Sequence, residues 1–294
     1  MKYLIQRIPP QYFGPVINII GQFMFVCSYI LLKYISQIIP VDVIIFYRFL
    51  LTPIFLLPLF IFRIIRLDFN EPWLFLIRLV AGASSMFCYF TAIQLGSPGK
   101  VTLLHQMAVI WAFLFSILIL KEKTNLKTLL SVPAAFIGLI MIIKPQVWDF
   151  SQGLSAFSTA DMYAALASVF LAVVLISLKR LRKNNTSLSI VFIYSCFGSV
   201  FFMAQSGFQV MPPHIILFIG MIFIGIFAFI GQFLTTETFH YTSISTAASL
   251  NLSCIPMMYL VGITLFGERV DLISLIGICV VVGALFSVVR NQPI

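Results

Sequence analysis

Two stretches of the chain, 146 residues apart, share one pattern and decide the fold. The first is LHQMAVIWAFLFSILILKEKTNLKTLL, residues 104–130, and the second is LNLSCIPMMYLVGITLFGERVDLISLI, residues 250–276. In both, an apolar run ends in Glu and a basic residue, and an Asx residue followed by leucine comes three positions later. Leucine matches between apolar segments are common, whereas this polar junction at one fixed offset indicates an internal repeat. The matched positions are Leu104/Leu250, Leu114/Leu260, Ile117/Ile263, Glu122/Glu268, Lys123/Arg269, Asn125/Asp271, Leu126/Leu272 and Leu129/Leu275.

The composition excludes most classes of soluble protein. Of the 294 residues, 61% are apolar and 9% are charged, and the mean hydropathy is +1.08. A soluble domain carries about 25% charged residues, so this chain does not have the polar side chains to cover a globular surface. Soluble enzymes, nucleic-acid-binding domains and disordered proteins are therefore excluded. Because one membrane span takes about 20 apolar residues, the chain has room for roughly ten spans with short loops.

Ten apolar segments, too long and too uniform for strands, predict membrane-spanning helices. Each half of the chain then has five spans, and because five is odd the second half must be inverted relative to the first. The sequence thus predicts an all-α integral membrane fold of ten transmembrane helices in two inverted five-helix repeats. The repeats occupy residues 1–145 and 159–294, joined by an outer linker loop over 146–158. The predicted spans are 13–33, 41–62, 74–95, 100–120, 126–143, 159–178, 187–207, 213–237, 244–266 and 271–289.

The distribution of Lys and Arg predicts the orientation of the chain. With the N-terminus inside, twelve of the 18 basic residues fall in cytosolic segments, four in outer segments, and two, Arg48 and Arg78, within spans. Cytoplasmic loops carry an excess of Lys and Arg in membrane proteins. We therefore expect a multi-pass protein of the bacterial inner membrane with both termini in the cytoplasm.

Several local motifs carry a resemblance to a known family. The chain resembles the EamA-type members of the drug/metabolite transporter superfamily, and the Gly-Glu-Arg-Val-Asp turn at residues 267–271 is the most specific match. The resemblance implies ten helices, two inverted five-helix repeats and transport of small metabolites. The matching segments are YRFLLTPIFLLPL from Tyr47, LIRLVAGASSMFCYFTAIQLGSPGKVTLL from Leu76, LILKEKTNLKTLLSVPAAFIGLIMIIKP from Leu118 and LFGERVDLISLIGICVVVGALFSVVR from Leu265.

The first half departs from the family pattern at two positions. Lys121 precedes the Glu where glycine is usual, and Ile110 stands where proline is often found, whereas the second half keeps Pro256. The third span, with Arg78 followed by a run of small residues over 81–85, is also similar to members that take up S-adenosylmethionine. That likeness is short, and Arg78 itself is near enough to the end of its span to reach the membrane interface by snorkelling.

Two glutamates at the repeated junctions have competing roles. Glu122 and Glu268 are candidates for proton carriers, but both sit at the membrane edge, one turn before the next helix. Asn125 and Asp271 are residue types that cap helix N-termini, and the glutamates can hold exposed amides or the adjacent bases. We therefore assign these four residues to a structural helix turn.

Polar side chains at membrane depth are the better candidates for a substrate site, because they are costly unless they pair or line a cavity. Arg48 and His105 lie at similar depth in the outer half, and His105 and Asn251 are equivalent under the 146-residue offset. Hydrogen bonding between helices is an alternative role for each of them. By contrast, Asp161 is expected to cap the sixth span. Glu237, near the cytosolic end of the eighth span, is expected either to snorkel or to pair with a basic loop residue. The full predicted substrate site is Arg48, His105, Gln22, Tyr89, Gln106, Trp111, Tyr163, Asn251, Ser253 and Tyr259.

The charge balance of this site predicts the chemistry of the substrate. Arg48 has no deep acid to neutralise it, so a cationic molecule is repelled where charges are poorly screened, whereas a carboxylate makes a charge-assisted contact. Aromatic rings can hold an apolar, aromatic or cationic remainder. We predict a secondary transporter, either a uniporter or an exchanger, for a carboxylate-bearing metabolite such as an amino acid or S-adenosylmethionine. An efflux permease for drugs or other metabolites is the alternative, and a membrane-embedded enzyme is a weaker one.

Other partners and cofactors receive little support from the sequence. The GSPGK segment at residues 96–100 lacks the spacing of a phosphate-binding loop, so no nucleotide-driven motor is predicted in this chain. No metal-ligand spacing is visible, and no catalytic residue, metal, cofactor or nucleic-acid partner is predicted. The expected partners are a small-molecule substrate and the lipid bilayer, and a homodimer stays open.

Overall fold

The structure, a computed structural model, describes residues 10–95, 98–121, 126–143, 158–205, 214–266 and 272–290. All regular structure in these ranges is helical, as the hydropathy predicts. The four junction residues Glu122, Asn125, Glu268 and Asp271 lie outside the described residues, so their assignment to a helix turn stays a prediction. The helices are α1 (Pro10–Ile35), α2 (Val41–Ile61), α3 (Pro72–Leu95), α4 (Pro98–Gln106), α5 (Ala108–Leu120), α6 (Leu126–Ile143), α7 (Thr159–Asn184), α8 (Ser187–Gln205), α9 (Ile215–Tyr241), α10 (Ile244–Asn251), α11 (Cys254–Phe266) and α12 (Leu272–Arg290).

The helices are long and apolar enough to cross a bilayer. Nine segments of the described chain meet that criterion, counting α4 with α5 and α10 with α11 as one segment each, and a shorter apolar helix covers Leu130–Ile142. These nine segments and the shorter helix correspond to the ten predicted spans, and the prediction of an all-α membrane fold is confirmed.

Two of the predicted spans are not continuous helices, which corrects the expectation for 100–120 and 244–266. Between α4 and α5 the chain tightens at Met107, whose amide donates to the Leu104 carbonyl. Between α10 and α11 it tightens at Leu252 and Ser253, whose amides also bond three residues back. Such mid-helix tightening often marks a functional hinge. Met107 and Ser253 are 146 residues apart, so the two helix breaks, between α4 and α5 and between α10 and α11, occupy equivalent positions in the two repeats.

Each helix of one repeat packs along a helix of the other. The main pairs are α1 with α9, α3 with α7, α2 with α8, and α6 with α12. The α6–α12 pair crosses at Gly138 and Gly277, where a Cβ on either glycine would lie 2.7 Å from the carbonyl oxygen of the other. Small residues permit such close backbone approach, which contributes much of the packing between helices in a membrane.

Hydrogen bonds close one end of the bundle. The amide of Asn70 donates to Asn185 Oδ1 at 2.8 Å, the Asn185 side-chain amide donates back to the Asn70 carbonyl at 3.1 Å, and the amide of Asp68 donates to Ser189 Oγ at 2.9 Å. Residues 66–71 and 184–189 are called the polar clasp below, and this end of the bundle the clasp end. The clasp ties the α2–α3 loop to the α7–α8 turn, which belong to different repeats.

A bidentate ion pair reinforces the clasp end. Arg182 of α7 donates to both carboxylate oxygens of Glu237 on α9 at 2.8 Å, and Ser187 donates to the same carboxylate at 2.6 Å. Lys179 donates to the carbonyl oxygens of Phe239 and Thr242. The expected pairing of Glu237 is therefore confirmed. At the far end of α7, Asp161 forms a capping box with Ser158, which confirms its predicted capping role.

The basic-residue distribution predicts that the clasp end is cytosolic. We expect a single cysteine at exposed Asn184, in a chain whose five native cysteines are replaced, to react with a membrane-impermeant maleimide only from the cytosolic side. A cysteine at Ser155, in the predicted outer loop, should react only from outside. Labelling of whole cells and inverted vesicles checks both, and the reverse pattern would contradict the orientation.

Candidate functional site

One face of α1 carries four side chains of the candidate site. Asn18, Gln22, Phe25 and Tyr29 are spaced by four, three and four residues, so they form a single stripe along the helix. The polar pair lies toward the clasp end and the aromatic pair toward the opposite end. The polar pair faces the break between α10 and α11, and the aromatic pair faces Arg48.

The polar part of the stripe converges on Asn251, the last residue of α10. Gln22 Nε2 donates to Asn251 Oδ1 at 2.8 Å, and Asn18 Nδ2 donates to the same oxygen at 3.2 Å. Asn18 is fully buried and Gln22 nearly so. The predicted residues Gln22 and Asn251 are thus brought together. Asn18 was missed by the sequence reasoning, although its position one turn before Gln22 on the same face was the signal for it.

Two buried acceptors beside this cluster have no hydrogen-bond partner. They are Asn18 Oδ1 and Ser253 Oγ, and Ser253 lies in the break two residues after Asn251. An unsatisfied buried polar group costs about 1–3 kcal/mol. A bound molecule that donates a hydrogen bond to either oxygen would remove this cost, so both oxygens are candidate contacts for a donor group. Ser253 was predicted as a site residue from its polarity, and its unpaired hydroxyl supports that assignment.

Arg48 of α2 lies against the aromatic part of the stripe. Its guanidinium carbon is 5.5 Å from the Phe25 ring centre and 5.8 Å from the Tyr29 ring centre. The side chain is half-buried, and no ion pair links it to a carboxylate among the described residues. Aromatic faces stabilise a guanidinium by about 0.5–1 kcal/mol at partly exposed sites, which leaves its fork of N–H donors available to a planar oxyanion.

His105 lies in the pseudo-equivalent break of the first repeat. Its ring packs on Tyr89 of α3 with ring centres 4.3 Å apart, and the Tyr89 hydroxyl is 3.4 Å from Thr102 Oγ1. Tyr89 and Tyr163 pack with Leu104 against a small apolar cluster on α3, α4 and α7. The structure therefore brings together three predicted residues, Tyr89, His105 and Tyr163, on the α4 side.

Three other predicted residues lie in different surroundings. Trp111 packs with Phe115 against the largest hydrophobic cluster, which involves α3, α5, α6 and α7. Tyr259 packs against Ile142, Val281 and Leu285 between α6 and α12. Gln106 is half-buried at the end of α4. Packing explains the two rings, and a role for the three residues in substrate binding stays a prediction.

Arg78 does not snorkel to the membrane interface, which corrects the expectation for it. Only 4% of the residue is exposed, its Nε has no hydrogen-bond partner, and its guanidinium carbon is 4.3 Å from the Tyr194 ring centre. Taking a charge out of water costs several kcal/mol, whereas a desolvated cation–π contact returns about 2 kcal/mol. Arg78 is held inside because α3 packs along α7 and α8, a neighbourhood that its position in the sequence does not reveal.

Together these groups define a positively charged bundle interior. Arg48 and Arg78 both face aromatic rings, and within the described ranges the carboxylates are engaged elsewhere or lie near helix ends, as with Glu237, Asp161 and Asp42. No group of three or more metal-ligating side chains is present in that part of the chain. The arrangement can bind an anion and hydrogen-bond donors, and it offers two helix breaks at which packing can change.

Broken helices at equivalent positions of two repeats, with polar groups between them, are the architecture of a membrane transporter. The comparison with known proteins agrees: the chain belongs to the EamA-like transporter family, whose model matches residues 12–144 and 158–290. It is therefore a multi-pass membrane transporter of a small molecule and not an enzyme.

Individual relatives are distant but cover most of the chain. The pseudopaline exporter CntI of Pseudomonas aeruginosa is 23% identical over 280 residues, which is 95% of this chain and 96% of the relative. An uncharacterized transporter of Helicobacter pylori is 26% identical over 249 residues, 81% of each chain. A solved crystal structure of another protein superposes with a TM-score of 0.76 at 13% identity, covering 93% of this chain and 95% of that one, which shows a shared fold.

Proposed function

We propose that the protein is a uniporter or exchanger that moves a small carboxylate-bearing molecule across the bacterial inner membrane. The observation that carries this proposal is Arg48, a half-buried guanidinium that packs on Phe25 and Tyr29 and forms no ion pair with the described carboxylates. A carboxylate bound to its fork gains charge-assisted hydrogen bonds. The unpaired acceptors of Asn18 and Ser253 then take a donor elsewhere on the same molecule.

The direction and the detailed substrate are further parts of the proposal. Relatives named as exporters favour export, which was the alternative direction from the sequence. Neither these relatives nor the uncharacterized transporters point to an amino acid or to S-adenosylmethionine, so both remain predictions from the charge balance and, for S-adenosylmethionine, from the short likeness of the third span. Both carry the carboxylate and the donor groups that the site requires.

A competition assay tests the carboxylate. Proteoliposomes are screened with labelled amino acids, nucleosides and S-adenosylmethionine, and the best substrate is then competed with its own methyl ester. Charge-assisted hydrogen bonds contribute about 1.5–3 kcal/mol, so we expect the ester to compete about 10- to 150-fold more weakly than the acid. In Arg48→Gln this discrimination should vanish, and Arg48→Lys should keep part of it because the charge remains.

Two results of the same assay would contradict the proposal. A wild-type protein that prefers esters or lipophilic cations would show that the site has the opposite charge preference. Because the chain segments that form the two breaks, residues 104–108 and 250–254, contain no carboxylate, we also expect uptake to persist when the pH gradient is dissipated. Collapse of uptake in wild type, with loss of that dependence in His105→Gln, would instead identify His105 as a proton relay.

A further inference from the structure

Arg78 marks a second place in the bundle where an anion can bind. Its guanidinium faces the ring of Tyr194 on α8, and no hydrogen bond or ion pair joins it to another described residue. Gly82 lies one turn further along α3, and a Cβ there would be 3.3 Å from the Tyr194 ring and 3.9 Å from Arg78 Nη1. The absence of a side chain at Gly82 therefore leaves room for the Tyr194 ring against the Arg78 guanidinium, whose planar fork of N–H donors matches a carboxylate.

The two arginines lie at different depths of the bundle. Arg48 is seven residues into α2, counted from the end opposite the clasp, and Arg78 is six residues into α3, counted from the clasp end. At 1.5 Å per residue, each lies roughly 10 Å from its own end of a helix about 30 Å long. They therefore flank the middle of the bundle from opposite sides, separated by roughly 10 Å along its axis.

A chain of aromatic contacts connects the two positions. Tyr194 packs edge-on against Phe49 with ring centres 5.4 Å apart, and Phe49 directly follows Arg48 in α2. Phe49 in turn stacks on Phe202 at 5.5 Å. Aromatic rings thus lie between the two arginines. Phe49 and Phe202 are buried, whereas Tyr194 is half-buried, so Tyr194 is the ring of the three that can contact the apolar or cationic remainder of a carboxylate-bearing molecule.

The polar clasp lies at the end of α3 that is nearer to Arg78. Asn70 and Glu71 of the clasp immediately precede α3, and both hydrogen-bond to the α7–α8 turn in this structure. Arg78 lies about two helical turns beyond them. Opening of the clasp would therefore give Arg78 access to that side of the membrane, while Arg48 lies nearer the opposite side.

We propose that Arg78 and Tyr194 form a second carboxylate site, which receives the carboxylate of the transported molecule from Arg48 before the clasp opens. The inference rests on the proposed function, because it assumes that the cargo carries a carboxylate. Two cationic sites in series allow the anion to leave one while entering the other, so neither holds it too tightly for release.

Chemical modification of the unaltered protein tests this second site. The purified protein in nanodiscs is treated with phenylglyoxal, which modifies arginine, and the rate at each arginine is followed by peptide mass spectrometry. Benzoate is the probe, because it combines a carboxylate with a ring, and methyl benzoate is the matched control. We expect benzoate, and not its ester, to slow modification at both Arg48 and Arg78 by roughly tenfold, and to leave exposed Arg66 unaffected.

The pattern of protection separates the two proposals. Protection of Arg48 without Arg78, or a failure of Arg78 to react at all, overturns the second site and leaves the proposed function intact. Absence of protection at both arginines counts against a carboxylate cargo altogether. A purely structural Arg78 would show no difference between benzoate and its ester, so this readout does not depend on whether an Arg78 variant folds.

Discussion

Replacing Gly277 with leucine is expected to lower the thermal stability of the protein. A Cβ at this position alone would lie 2.7 Å from the carbonyl oxygen of Gly138 and 2.8 Å from Met141 Cβ, so α6 and α12 would have to separate. Overpacking typically costs about 1–3 kcal/mol, which corresponds to a fall in Tm of roughly 2–10 °C for a chain of this size. Leucine adds three further carbons in the same direction.

The same helix supplies a matched control for this change. Gly283 also lies on α12, but a Cβ there would meet nothing within 4 Å, so Gly283→Leu points into open space. We expect that variant to keep the Tm and the single gel-filtration peak of the wild type. Thermal unfolding in detergent measures the Tm of both variants, and gel filtration measures the peak. Equal stability of the two variants would mean that α6 and α12 do not cross as closely as described.

The repeat made the architecture predictable, but the breaks within it were hidden. The apolar segments predicted the number of spans, and the junctions at residues 122–126 and 268–272 predicted the repeat and its inversion. Pro256 lacks an amide hydrogen, so a break just before it has a local cause. The first repeat has Ile110 at the position equivalent to Pro256, so no proline follows the break at Met107. Hydropathy does not register a turn tightened by one residue, so both spans were predicted as continuous helices.

The candidate site was predictable residue by residue only where local spacing was sufficient. The pairing of Gln22 with Asn251, 229 residues away, followed from no local pattern. Asn18 was recognisable only after α1 was known to present that face. Arg78 was misjudged because its distance from the span end suggests snorkelling, whereas its burial is imposed by α7 and α8. Long-range packing, which composition and period do not encode, decided each of these cases.

Replacing Asn251 with leucine is expected to reduce transport by at least about tenfold, and Asn251→Asp provides the comparison. Leucine removes the one oxygen that accepts from both Asn18 and Gln22, so two buried amide donors lose their partner, at about 1–3 kcal/mol each. α1 would then no longer be held to the break between α10 and α11. Initial uptake rates in proteoliposomes, normalised to the amount of correctly inserted protein, measure the loss.

Aspartate keeps the shared acceptor but adds a negative charge beside the break. We therefore expect Asn251→Asp to retain the wild-type gel-filtration profile, because both amides still donate to it, while uptake of a carboxylate-bearing substrate falls through repulsion. A fold-retaining variant that loses carboxylate transport would place the charge preference at Asn251 as well as at Arg48. If Asn251→Leu transports at the wild-type rate, the contact between α1 and α10 has only a packing role, and the cargo passes without using this break.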